Sequence, residues 1–203
     1  MTPRLILQLT PRPLERVESD VAVAGFFIDE RPLRGGAARA DWRLCGGLSK
    51  RIESGDLSGE SGEAFLIGCG RALRSPRLLV VGLGNRRDFD LVRLSDETCA
   101  AISRCDRLRC SEIALSPLGI APDDVPRHAA ALVAGIREAF VEVEGRMRIH
   151  LCIERSQLPS VQRAFEEACK AARADEIEVR TPAPPAPLAS THAMPAASGR
   201  APG

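Results

Sequence analysis

The stretch Arg77-Leu78-Leu79-Val80-Val81-Gly82-Leu83-Gly84-Asn85, with Asp88-Phe89-Asp90 just beyond it, decides how the chain folds. An aliphatic run between an arginine and a glycine reads as a strand buried on both faces, the kind found inside a parallel sheet. Two glycines break the strand, and a helical pattern begins at Leu91, with Asp88 or Asp90 available as its N-cap. Backbone N–H groups beside a helix N-terminus can hold an anion. Gly82, Gly84, Asn85 and Arg86 are therefore the candidate ligand-binding residues. The N–H groups of Gly84, Asn85 and Arg86 would cradle a phosphate, aided by the side chain of Arg86 or Arg87. The dinucleotide spacing G-x-G-x-x-G fails, because Arg87 stands at the third glycine position. The competing reading is a tight turn that needs glycine for its dihedrals.

The same alternation of elements extends to either side. Arg4–Leu9 reads as a first strand, closed by Pro11 and Pro13. Asp20–Ile28 is a near-continuous apolar run, again a strand buried on both faces. Ala38, Trp42, Cys45, Leu48 and Ile52 recur at helical steps, which predicts one helix over 38–53 with Gly46 and Gly47 packed closely inside it and Gly55 as its cap. Glu63–Cys69 pairs with the Leu78–Leu83 strand across a turn at 72–76. A helix over 91–108 buries Leu91, Leu94, Ala101, Ile102, Cys105 and Leu108. Glu112–Leu115 is a short strand. Asp123-Asp124 ahead of Pro126 starts a long helix to about 142, with Val125, Ala129, Leu132, Ile136, Phe140 and Val143 on its buried side. Met147–Ile153 is a strand, Leu158 to Ala172 a helix, and Ile177–Val179 a last short strand. Strands alternating with helices predict an α/β sandwich with a largely parallel or mixed sheet. From Thr181 the composition turns to Pro, Ala, Ser and Gly, which cannot build a core. The expected organisation is a domain over 1–180 and a disordered tail over 181–203.

Composition narrows the function. The chain has 203 residues and a formal net charge of +1, so no generic attraction to nucleic acid or an anionic membrane is implied. Arginine supplies nearly all the positive charge, lysine occurring only at Lys50 and Lys170. Seven cysteines, an odd number, argue against a closed disulfide framework. The N-terminus lacks a signal-peptide pattern, no apolar run is long enough to cross a bilayer, and a cytoplasmic location with reduced thiols is expected.

The usual chemical signatures do not form. The segment before Lys50 lacks the P-loop spacing. Cys99, Cys105 and Cys110 are not at zinc spacings, and His128, His150 and His192 are isolated, so no metal site and no cofactor are expected. No G-x-S-x-G elbow is present, and nothing local would activate Ser58 or Ser61. Asp29, Glu30 and Arg31 end the second strand, a common site position in α/β sheets, though a solvated turn explains them as well.

Three segments together resemble the N-terminal domain of the leucyl aminopeptidases, the M17 metallopeptidase family. They are Asp20-Val-Ala-Val-Ala-Gly-Phe-Phe27, Cys45-Gly-Gly-Leu-Ser-Lys-Arg-Ile-Glu-Ser-Gly-Asp-Leu-Ser-Gly-Glu-Ser-Gly-Glu63, and Leu78-Leu-Val-Val-Gly-Leu-Gly-Asn85 with Phe89 and the helix after it. The helix at Ala131–Phe140 is also similar, so that the resemblance covers roughly residues 5–145. It implies a three-layer α/β/α, macro-domain-like sandwich with a mixed sheet. In that family the metal ions and the catalytic Arg and Lys belong to a separate C-terminal domain. Its signature Asn-Thr-Asp-Ala-Glu-Gly-Arg is absent here, so no catalytic residue carries over.

The expectation is a stand-alone, non-catalytic domain with a binding, assembly or regulatory role, acting through a protein partner or self-association. The alternative is a macro-type module that binds a nucleotide or an ADP-ribose-like small molecule. Hydrolysis of an ADP-ribose derivative is a third class, for which the sequence offers no nucleophile or base. Nucleic acid and membrane are not expected partners.

Overall fold

The computed structural model describes residues 5–142 and 145–182. Residues 183–203 of the expected 181–203 tail, with His192, and the expected burial of Val143 lie outside the described residues.

Seven strands form one sheet: β1 (Leu5–Thr10), β2 (Val21–Phe26), β3 (Ala64–Gly68), β4 (Arg77–Gly82), β5 (Glu112–Leu115), β6 (Met147–Cys152) and β7 (Ile177–Arg180). Their order is β3-β4-β2-β5-β6-β1-β7. Every neighbouring pair is parallel except β3 with β4. The short turn predicted between those two strands is what makes that pair antiparallel, since parallel neighbours need a crossover.

Among the described residues, five α-helices cover the sheet: α1 (Gly35–Arg43), α2 (Gly47–Glu53), α3 (Leu91–Arg107), α4 (Val125–Glu142) and α5 (Leu158–Ala171). The period-2 alternation of the strands sorts the core into two faces. Val21, Val23, Leu79 and Val81 join Leu94, Ile102, Leu132 and Phe165 beneath α3, α4 and α5. Ala22, Ala24, Phe26, Leu78 and Val80 join Ala37, Ala40 and Leu48 beneath α1 and α2. The small residues of β2 thus face the side with shorter helices. The result is the expected three-layer α/β/α sandwich with a mixed sheet.

The helix predicted over 38–53 is two helices. Cys45 and Gly46 both take positive φ, 54° and 77°, and break it. Asp41 ties the pieces together: its Oδ1 accepts from the N–H groups of Leu48 at 2.7 Å and Ser49 at 3.1 Å, and its Oδ2 from the Ser49 hydroxyl at 2.6 Å. That bend removes Trp42 from the predicted apolar face. It is 83% exposed, and Cys45 is exposed too. Leu91, predicted buried, is 53% exposed at the first position of α3, ahead of the turn that meets the sheet.

Asp20 locks the entry of β2 against β5. Its Oδ2 accepts from Ser111 N–H at 2.7 Å, Glu112 N–H at 2.9 Å and the Ser111 hydroxyl at 3.2 Å, while Arg77 Nε donates to its carbonyl at 3.2 Å. Burial alone would raise this carboxyl's pKa. The donated hydrogen bonds and the nearby Arg77 charge outweigh it and hold the pKa below the usual carboxylate range. A folded-state pKa depressed in this way adds stability that is present above the unfolded value and is lost as pH falls through the folded value. Asp20→Asn is therefore expected to lower stability at neutral pH and to flatten its fall below about pH 4. Urea denaturation at a series of pH values checks this. Parallel curves for the two proteins would show that Asp20 contributes nothing.

Candidate functional site

The four predicted ligand residues lie together at the carboxyl end of β4, Gly82 as its last residue and the others in the turn that follows. Local hydrogen bonding differs from a phosphate cradle. Gly82 N–H donates to Glu63 O at 3.0 Å, and Gly84 N–H donates to Gly59 O at 2.8 Å. Arg86 N–H donates to Asp29 Oδ1 at 3.0 Å, and its guanidinium pairs with Glu30 at 2.9 Å and lies 5.0 Å from the centre of the Phe27 ring. Two of the three N–H groups expected to face a ligand therefore have protein acceptors.

The strand also does not run straight into the helix. A 3-10 turn, Arg86–Asp88, intervenes, and α3 begins at Leu91. Of the two aspartates considered, Asp90 is the cap, accepting from Arg93 N–H at 2.9 Å. The N-terminus of α3 is thus served by its own side chain.

The glycines answer to a close approach. A Cβ on Gly82 would lie 2.1 Å from the Glu60 carbonyl oxygen and 2.7 Å from the Gly59 carbonyl carbon. Gly84 sits at φ 73°. The chain pressed against them is the 57–63 loop, whose shape is set by one carboxylate. Glu63 accepts from Ser58 N–H and hydroxyl at 3.1 Å and from Gly59 N–H at 2.6 Å. The glycine-rich turn ending in Glu63 and the Gly82–Asn85 turn are halves of one interlock.

Asp29, Glu30 and Arg31 brace the same corner. Asp29 and Glu30 hold Arg86, Glu30 also pairs with Arg34 at 3.6 Å, and Arg31 Nη1 donates to Phe27 O at 2.9 Å. Past the carboxyl ends of β2 and β5, two glycines allow close approaches. Cβ atoms on Gly119 and Gly36 would lie 2.6 Å from the Phe27 ring and 2.4 Å from Ser116 Oγ.

A cleft of about 270 Å³ opens at this corner, between the Gly84–Asn85 turn and the 57–63 loop. Glu60, Ser61, Asp88 and Arg93 line it, with Ile28 and Leu83 as its apolar part. Ser61 Oγ donates to Glu97 Oε1 at 2.6 Å and accepts from Arg93 Nη1 at 3.5 Å. Glu97 is 5% exposed, and its Oε2 has no partner among the described residues. No local feature of the chain singles out Ser61, since its partner is 36 residues away. The available signal was Glu97 itself, a carboxylate one turn after Leu94 on the buried side of α3.

Five of the cysteines are not poised for chemistry. Burial pushes the Cys105 and Cys152 thiols up to about 12 and raises those of Cys69, Cys110 and Cys169, so these thiols stay protonated and unreactive near neutral pH. Among the described residues, no three His, Cys, Asp or Glu side chains gather as a metal site, and no helix is long and apolar enough to cross a membrane.

Comparison with known proteins bears on this arrangement. A probable cytosol aminopeptidase of Nitrosococcus oceani is 26% identical over 110 residues, 54% of this chain, and the chain spans only 22% of that relative's length. Tomato leucine aminopeptidase, as its K354E mutant, superposes with a TM-score of 0.63 at 16% identity, over 83% of this chain and 36% of that one. The Oceanobacillus iheyensis macrodomain with ADP gives a TM-score of 0.57 at 14% identity, over 82% of this chain and 90% of that one. Residues 22–144 match the model of the cytosol aminopeptidase family, N-terminal domain, and these residues include both halves of the interlock. The chain belongs to the cytosol aminopeptidase family through that family's N-terminal domain.

Proposed function

We propose that this is a non-catalytic accessory domain of the aminopeptidase type, working in the cytoplasm by binding or assembly rather than by peptide hydrolysis. The observation that carries the reading is the use made of the residues most like the family. Gly59, Glu63, Gly82 and Gly84 are committed to one another through backbone and carboxylate hydrogen bonds. Residues so engaged build a rigid corner and are not free to attack, protonate or ligate. An aminopeptidase assay of the purified chain with added manganese or zinc tests this. Background turnover is expected, and hydrolysis proportional to chain concentration would overturn the proposal.

A second reading is a small-molecule module of the nucleotide or ADP-ribose type. It is favoured by the cleft beside the predicted Gly84–Asn85 turn and by the macrodomain neighbour described with ADP. Calorimetry with ADP-ribose, ATP and NAD tests it, and heat that saturates would support it. The carboxylates of Glu60 and Asp88 in the cleft weigh against a diphosphate there.

A further inference from the structure

We propose that the cleft between the Gly84–Asn85 turn and the 57–63 loop binds a free α-amino acid with an aliphatic side chain. The inference rests on the reading of this domain as a binding module. Its starting point is a pair of uncompensated opposite charges. Glu60 and Arg93 both line the cleft, and among the described residues neither forms an ion pair, with the other or with anything else. Many other arginines are satisfied internally, as Arg86, Arg137 and Arg148 are by Glu30, Glu176 and Glu112. A guanidinium and a carboxylate that share a small cleft without touching leave room for a ligand carrying both complementary charges. An α-amino acid does so on adjacent atoms.

Each end of such a ligand has its partner. Arg93 offers a carboxylate the charge-assisted hydrogen bonds that guanidinium geometry favours. The other end meets Glu60 and Ser61. The Ser61 proton is committed to Glu97 at 2.6 Å and its oxygen takes a 3.5 Å hydrogen bond from Arg93, which leaves one lone pair for an incoming donor. Behind Ser61 lies Glu97, nearly fully buried, with one side-chain oxygen unpartnered among the described residues. The ligand's side chain meets Ile28 and Leu83, and Ile28 stays 36% exposed although it is aliphatic. A nucleoside diphosphate is disfavoured at the same place, because the carboxylates of Glu60 and Asp88 line it.

The test uses the full chain and L-leucine, followed by amide NMR and calorimetry. The amides of Ser61, Gly84 and Asn85 are expected to shift and saturate with a Kd of about a millimolar, as suits so small a ligand. Leucinamide, which lacks the carboxylate, and N-acetyl-leucine, which lacks the ammonium, are each expected to bind at least about tenfold more weakly. Arg93→Ala is expected to abolish the preference for leucine over leucinamide. The ligand series needs no altered protein, so the proposal stands or falls even if that variant misfolds. Leucine, leucinamide and N-acetyl-leucine binding equally would overturn it. So would the absence of leucine-induced shifts, or saturation by ADP-ribose at these amides without any by leucine. Hydrolysis of a peptide substrate would bear on the non-catalytic reading and not on this one.

Discussion

Gly82→Ala is expected to destabilise the domain by about 3 kcal/mol or more, because the new methyl group meets backbone that cannot yield. The Cβ would stand 2.1 Å from the Glu60 carbonyl oxygen, well inside contact distance. Relief requires lifting the 57–63 loop from β4. That movement would also strain the bonds from Gly82 N–H to Glu63 O and from Gly84 N–H to Gly59 O. Gly84→Ala is a useful contrast. Its Cβ would lie 3.4 Å from Ser61 Cβ, an acceptable contact, and the cost is the left-handed backbone alone, about 1–2 kcal/mol. Urea denaturation of the two variants separates close packing from ligand binding as the reason for the glycines. A Gly82→Ala protein as stable as the parent would show that the interlock is slack.

Phe165→Ala is expected to cost about 4 kcal/mol and to lower one cooperative transition rather than split it. Phe165 lies on α5, beyond the residues matched to the family, and is fully buried. It belongs to the same core as Leu5, Val21, Ile102 and Leu132. We propose on this ground that residues 5–180 fold as one unit. β1 pairs with both β6 and β7, so the first strand of the chain is held by its last two. Loss of the Phe165 ring should therefore be felt at β2 as strongly as at β7. Thermal unfolding followed by tryptophan fluorescence and by far-ultraviolet circular dichroism checks this. Two separate transitions in the variant would divide the chain where the family match ends.

The sheet was readable because its strands are simple. Val21–Phe26 and Arg77–Gly82 are apolar runs bounded by turn residues, and both faces of each are buried as such runs imply. The stripes of α4 and α5 at Val125, Ala129, Leu132, Ile136, Val161 and Phe165 were equally plain. The break in the 38–53 helix was not. It depends on a positive φ at a cysteine and on Asp41 reaching forward to cap the next helix, neither of which leaves a periodic trace. The candidate site was half readable. Glycines after a strand marked the turn, but the same pattern serves a ligand or a neighbouring loop. Which of these holds was decided by Gly59 and Glu60, more than twenty residues earlier in the sequence. The pairing of Ser61 with Glu97 was hidden for the same reason, since it is made by the fold and not by spacing.

The fold itself places few demands on chemistry, and function must be argued from sites. The family residues here spend their polar groups on each other, which is the ground for reading the domain as accessory. The most direct test is peptide hydrolysis by the purified chain, with leucine p-nitroanilide as substrate and manganese or zinc supplied in excess. The account predicts a rate indistinguishable from metal and buffer alone at every chain concentration. A rate that rises in proportion to the chain and disappears on chelation would contradict it.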